Sequence, residues 1–170
     1  MCSSDLDLQV GLASLTKEVR RFGPYLANAD VHLGLDPEFA MAASGRPPGK
    51  VIGTLDAEQV NEVIAWLSEI VRANRLPPKV LVLHRFTSKM LTNARDIRAT
   101  PEVQVVVNMD GWGPPQLKLD TYRQIVAPEA VQFTGFKIFY IQDMLPPSTA
   151  LVDPATILAL KPVPAYIQYQ

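Results

Sequence analysis

Hydrophobic positions in this chain follow two alternating rhythms. Runs rich in Val, Ile, Leu and aromatic residues, bounded by Pro, Gly or Asp, fall at 31–35, 79–86, 103–110, 133–141 and 165–170, and each predicts a β-strand. Between them the spacing changes to three and four. The clearest case is 56–74, where Val60, Val63, Ile64, Leu67, Ile70 and Val71 form one apolar stripe, so a helix with one buried face is predicted. Asp56 followed by Gln59 forms a capping pair, and Asn74 with Pro77-Pro78 supplies the stop. Asp153-Pro154 opens a second helix through Leu160 by the same logic. Shorter helices are predicted over 14–22, broken at Gly23-Pro24, and over 88–97 and 117–126.

Strand-helix alternation of this kind fits two architectures, an open doubly wound parallel sheet or part of a (β/α)8 TIM-type barrel. The strand ends favour the barrel. Read toward their carboxyl ends, the five strands arrive at Asp36 and Glu38, at His84, at Asn108 and Asp110, at Tyr140 with Gln142 and Asp143, and at Gln168 and Gln170. A barrel aims all such ends at one cavity, whereas an open sheet concentrates ligands at one switch point. Length agrees: a whole barrel has about 250 residues, so five of eight units need roughly 155, and residues 7–170 form one domain of that size. The expectation is therefore the C-terminal portion, about five βα units, of an N-terminally truncated barrel. Residues 1–6 resemble a translated sequencing adaptor and are set aside as a non-native artefact in this reading.

Composition narrows the function classes. With 48% hydrophobic and 19% charged residues, the chain can bury a core. Sixteen basic against 17 acidic side chains give a formal charge of -1, with no Lys/Arg run to track a nucleic-acid backbone. No stretch approaches the roughly 18 apolar residues of a membrane span. Cys2 is the only cysteine, so neither an intrachain disulfide nor a Cys-based metal site is possible. No cofactor motif is present.

The sharpest motif is Leu35-Asp36-Pro37-Glu38-Phe39. On an extended backbone residues i and i+2 share a face, which would bring two carboxylates close enough to raise one pKa and keep a proton for donation. The competing reading is an Asp-Pro-Glu turn with Asp36 as a cap. His84 shares parity with Val80 and Val82 and can face the barrel axis, although a lone core histidine more often bonds backbone; His32 lies early in its strand, away from the cavity. Asn108 and Asp110 share a face before a turn bearing Trp112, an indole suited to stacking on a sugar ring or to pinning a glycine turn. Lys137 either snorkels outward, the commoner fate, or pairs with an inward acid such as Asp110 or Asp36. Tyr166, Gln168 and Gln170 give the last strand one polar side.

Together LDPEF, LHRF, VVNMDGWG, GFKIFY and the closing PxPxYIQYQ resemble an uncharacterised bacterial family of secreted or lipoprotein-type proteins with a glycoside-hydrolase-like barrel, over most of residues 26–170. The resemblance implies an extracytoplasmic TIM-barrel protein acting on, or descended from enzymes acting on, glycans, with its site on Asp36, Glu38, His84 and Asp110, so the expected partner is a glycan or another small polar substrate. In the expected mechanism Glu38 is the acid/base, Asp36 tunes it or orients a substrate group, and Asp110 is the second carboxylate. His84, Asn108, Trp112, Lys137, Tyr140, Gln168 and Gln170 would bind substrate. Two alternatives remain: a metal-dependent hydrolase of phosphodiesterase or deacetylase type, using Asp36, Glu38, His84 and Asp110 as ligands, and a non-catalytic carbohydrate-binding barrel.

Overall fold

The computed structural model describes residues 4–170. In chain order the elements are β1 (Ser4–Leu8), α1 (Leu15–Arg20), α2 (Gly23–Leu26), β2 (Val31–Leu35), β3 (Leu55–Asp56), α3 (Ala57–Asn74), β4 (Lys79–Arg85), β5 (Leu91–Thr92), β6 (Val103–Met109), α4 (Pro115–Thr121), β7 (Phe133–Ile138), α5 (Pro154–Leu158) and β8 (Tyr166–Tyr169). All five expected strands are present. A sixth, β1, joins them, so the sheet is larger than the sequence implied. Met1 to Ser3 lie outside the described residues, whereas Ser4 to Leu6, set aside in the sequence reading, form the first half of β1 in register with Val31 to Leu33.

The sheet runs β1-β2-β4-β6-β7-β8, and every pairing in it is parallel. Strand order follows chain order without reversal, so the sheet lacks the switch point that defines a doubly wound fold. It is also strongly curled. Six strands laid flat would hold the outer two about 24 Å apart, at about 4.8 Å per interval. Instead Tyr166 on β8 donates its hydroxyl to Asp5 Oδ2 on β1 at 2.6 Å, and Gln168 Nε2 lies 3.3 Å from Asp7 Oδ2.

The curl sorts side chains by parity. Leu33, Leu35, Leu81, Leu83, Val103 and Val105 point outward and pack against Val60, Val63, Ile64 and Leu67 of α3. Val107, Met109, Phe136 and Ile138 continue the outer layer onto Tyr122, Val126, Ile157 and Leu160. The opposite parity faces the concave side, and toward the carboxyl ends it is polar.

Local chemistry explains where the elements begin and end. Asp56 and Gln59 make the expected capping box on α3, and Asp153 accepts from Thr156 N at 2.9 Å at the start of α5. α1 ends at Arg20, ahead of Gly23-Pro24 as expected, and that pair then opens α2, since proline fits a first turn whose N–H has no partner. The segment expected to be helical over 88–97 is different: two single 3-10 turns flank β5, which pairs with β3. Buried Arg85 accounts for this, because its guanidinium donates to the carbonyls of Thr87, Ser88 and Leu91 and so wraps the chain around itself. β7 stops at Ile138, three residues short of the expected end, where Asp143 accepts the Phe139 N–H. Among the described residues no helix is long and apolar enough to cross a membrane.

Candidate active site

The carboxyl ends of β1, β2, β4, β6, β7 and β8 surround a cavity of about 440 Å³. Its polar lining consists of Asp7, Gln9, Asp36, Glu38, His84, Asp110, Lys137 and Gln170, with Phe39, Phe86, Trp112 and Phe139 as aromatic wall. Seven of the residues expected at the site meet here: Asp36, Glu38, His84, Asp110, Trp112, Lys137 and Gln170.

At the centre, His84 is held from both sides. Its Nε2 lies 3.0 Å from Asp7 Oδ1 and its Nδ1 lies 3.3 Å from Asp110 Oδ2. Burial by itself would lower the histidine pKa, but the bonds to the two carboxylates outweigh it and push it up to about 9. At neutral pH the ring is therefore an imidazolium with both N–H groups donating. Burial likewise tends to raise the Asp7 pKa, and the His84 bond and charge bring it below the ordinary carboxylate value. The more common outcome for a lone histidine, a bond to backbone, belongs to half-buried His32, whose Nδ1 accepts from Val80 N at 3.2 Å.

Asp110 is shared by two cations. Lys137 Nζ approaches its Oδ1 to 2.8 Å and stands 4.7 Å from the centre of the Phe139 ring. The lysine therefore points inward, contrary to its commoner solvent-facing fate, because the Asp110 carboxylate and the Phe139 face offset the cost of burying its charge.

Asp36 and Glu38 reach the cavity differently from the extended i, i+2 arrangement expected. After β2 the backbone turns through one 3-10 turn, Pro37–Phe39, and Asp36 caps it by accepting Glu38 N at 3.1 Å. The turn and the acidic site are thus the same feature. Burial, reinforced by the Asp110 charge, raises the Asp36 pKa; burial, then Asp36 and Asp110, raises that of Glu38. Gly53 supports this loop from below: its N–H donates to Glu38 O at 2.7 Å, and a Cβ there would stand 2.5–2.7 Å from the carbonyl oxygens of Pro37, Ala40 and Glu38.

The opposite wall is fixed by a buried ion pair. Lys118 Nζ lies 2.8 Å from Asp143 Oδ2 and donates to Gly111 O at 2.9 Å, while Asp143 accepts from Gly113 N and Phe139 N, each at 2.9 Å. The loop carrying Asp110 and Trp112 is tied in this way to the segment carrying Phe139. Trp112 itself stays 57% exposed, with much of its indole open at the rim.

Three residues expected to bind substrate stand elsewhere. Asn108 and Gln168 lie beneath the cavity, where Asn108 Nδ2 donates to Gln168 Oε1 at 3.1 Å, so their amides serve the floor. Tyr140 is exposed and stacks on Tyr169 at 5.6 Å, outside the lining. The lining residues that sequence reasoning missed are Asp7, Gln9, Phe39, Phe86, Gly111 and Phe139. Two signals could have found most of them: the polar-apolar alternation of Ser4-Asp5-Leu6-Asp7-Leu8, and an aromatic residue soon after each of β2, β4 and β7.

Chemically, the cavity joins a carboxylate neutralised by two fixed cations to a pair of acids that hold their protons more tightly than usual. Among the described residues, no set of three or more His, Cys, Asp and Glu side chains is arranged to hold a metal ion. His84 has both ring nitrogens committed to Asp7 and Asp110, which leaves no lone pair for ligation. Compared with family models, with curated proteins and with solved structures, the chain finds no match in any of the three.

Proposed function

We propose that the curled sheet is part of a (β/α) barrel and that the protein is glycoside-hydrolase-like, binding a glycan in the cavity and cleaving it with Glu38 and Asp110. One observation carries this reading: acids from two different strand ends share a cavity but have opposite surroundings. Asp110 sits between His84 and Lys137. Glu38 is partly buried beside Asp36, with a raised pKa. Carboxyl groups whose environments diverge in this way divide into a proton donor and a charged partner.

In the proposed reaction Glu38 gives its proton to the departing glycosidic oxygen as the C–O bond breaks, the Asp110 carboxylate faces the positive charge that develops at the anomeric carbon, and water completes the reaction by adding its oxygen to that carbon and returning a proton to Glu38. His84 and Lys137 fix the Asp110 carboxylate in place, so little reorganisation accompanies charge development. Asp36 keeps the Glu38 proton in place or orients a substrate group. Trp112 offers a ring face to the apolar C–H side of a sugar.

The test is turnover of a panel of aryl glycosides by the purified chain and by Glu38→Gln and Asp110→Asn. General acid catalysis contributes about 10²–10⁴-fold, so Glu38→Gln should lose kcat on that scale while retaining sugar affinity. Hydrolysis unchanged in both variants would refute the assignment, and sugar binding without turnover in the parent would identify a carbohydrate-binding barrel instead.

A further inference from the structure

The cavity lining contains four carboxylates, Asp7, Asp36, Glu38 and Asp110, but only two cationic side chains, His84 and Lys137. Both cations are already committed. His84 spans Asp7 and Asp110, and Lys137 takes the other oxygen of Asp110. Among the described residues no Lys, Arg or His forms an ion pair with Asp36 or Glu38. Asp36 is only 9% exposed, borders the cavity, and has the Glu38 backbone N–H on one carboxylate oxygen. A buried carboxylate in that position is stabilised by a proton or by a cation arriving with a ligand, since hydroxyl donors alone compensate its lost hydration only in part.

We infer that the ligand selected by this cavity carries a protonated amine, as an amino sugar does, with its ammonium seated on Asp36 and its ring against the aromatic wall. The inference rests on the glycan reading above for the ring and on the charge count for the amine. Trp112, Phe86 and Phe39 suit both parts, because aromatic faces attract cations as well as apolar C–H surfaces. The ammonium would also keep Asp36 ionised beside Glu38, whose proton the same negative neighbour retains. An anionic sugar would meet the unpaired carboxylates and be rejected.

Binding of glucosamine, N-acetylglucosamine, glucose and glucuronate to the whole chain, followed by NMR titration at pH 6 where the free amine is charged, tests this. Glucosamine should bind about tenfold tighter than glucose, as expected for one partly desolvated ion pair. N-acetylglucosamine should match glucose, and glucuronate should be weakest. Asp36→Asn keeps an acceptor for the Glu38 N–H and should abolish the preference, read as the ratio of glucosamine to glucose affinity within the variant. In the unmodified chain the same preference should shrink as salt rises, which gives a readout independent of any variant.

Equal binding of glucosamine and glucose, a preference that survives Asp36→Asn, or no binding by any probe would overturn the inference. Cyclohexylammonium against cyclohexanol separates it from the glycan reading. If the ammonium binds through Asp36 and no sugar does, the charge selection stands and the glycan assignment fails. If sugars bind without regard to the amine, the reverse holds.

Discussion

The two-sided clamp on His84 makes stability depend on pH in a defined window. The folded-state pKa of about 9 exceeds the ordinary 6.5, so between these values the native state binds a proton that the unfolded chain has released. Stability from this group is complete below 6.5 and is lost as pH rises through 9. At about 1.4 kcal/mol per pH unit the interval amounts to about 3 kcal/mol, or roughly 6–12 °C in Tm for a chain of this size. His32 does not blur the window, because burial lowers its pKa and moves its titration to more acid pH. Asp36 and Glu38 also act lower: their raised values make stability fall as pH climbs through the acid range.

The assay is urea unfolding at half-unit steps from pH 6 to 10 for the parent and for His84→Gln. The parent should lose about 3 kcal/mol across the window relative to the variant, with m unchanged. Gly34→Ala provides a second approach that leaves the histidine in place. Its methyl would fall 1.9 Å from Asp7 Oδ1 and must displace that carboxylate, so the titration midpoint should move down toward 6.5. Parent and His84→Gln curves that stay parallel within about 0.5 kcal/mol, the spread of inconsequential substitutions, would refute the clamp.

Two further predictions address the walls of the cavity. Gly53→Ala should cost about 3 kcal/mol, at the upper end of ordinary overpacking, because the three oxygens its methyl would meet belong to backbone; the denaturation midpoint measures it, and a change under about 1 kcal/mol would contradict it. Lys118→Met should cost about 3–5 kcal/mol by leaving Asp143, fully buried, without its cation. Adding Asp143→Asn to that variant should recover part of the loss in the same measurement, and no recovery would count against a charge-based cause.

Much of the scaffold is written locally. The runs that became β2, β4, β6, β7 and β8 are apolar and β-branched enough to be strands in any compact parallel arrangement, and the α3 stripe with its Asp56 cap requires no distant partner to be recognised. The placing of acids just beyond strand ends was equally legible, since a residue's distance along a strand fixes the level at which it sits.

What the linear chain left open was decided by the curl of the sheet. Curling brings β1 across to β8, and Gly34 on the intervening strand, having no side chain, lets Asp7 reach His84, a bond between residues 77 positions apart. Lys137 turns inward for the same reason: its cost of burial depends on whether Asp110, from the neighbouring strand end, stands opposite it beside the nearby Phe139 ring. Arg85 shows the effect on secondary structure, as its buried guanidinium takes three carbonyls and overrides a plausible helix at 88–97. Local propensity is a matter of a few tenths of a kcal/mol per residue, whereas an unpaired buried charge costs several kcal/mol. Pairing those charges therefore governed the tertiary structure wherever the two were in conflict.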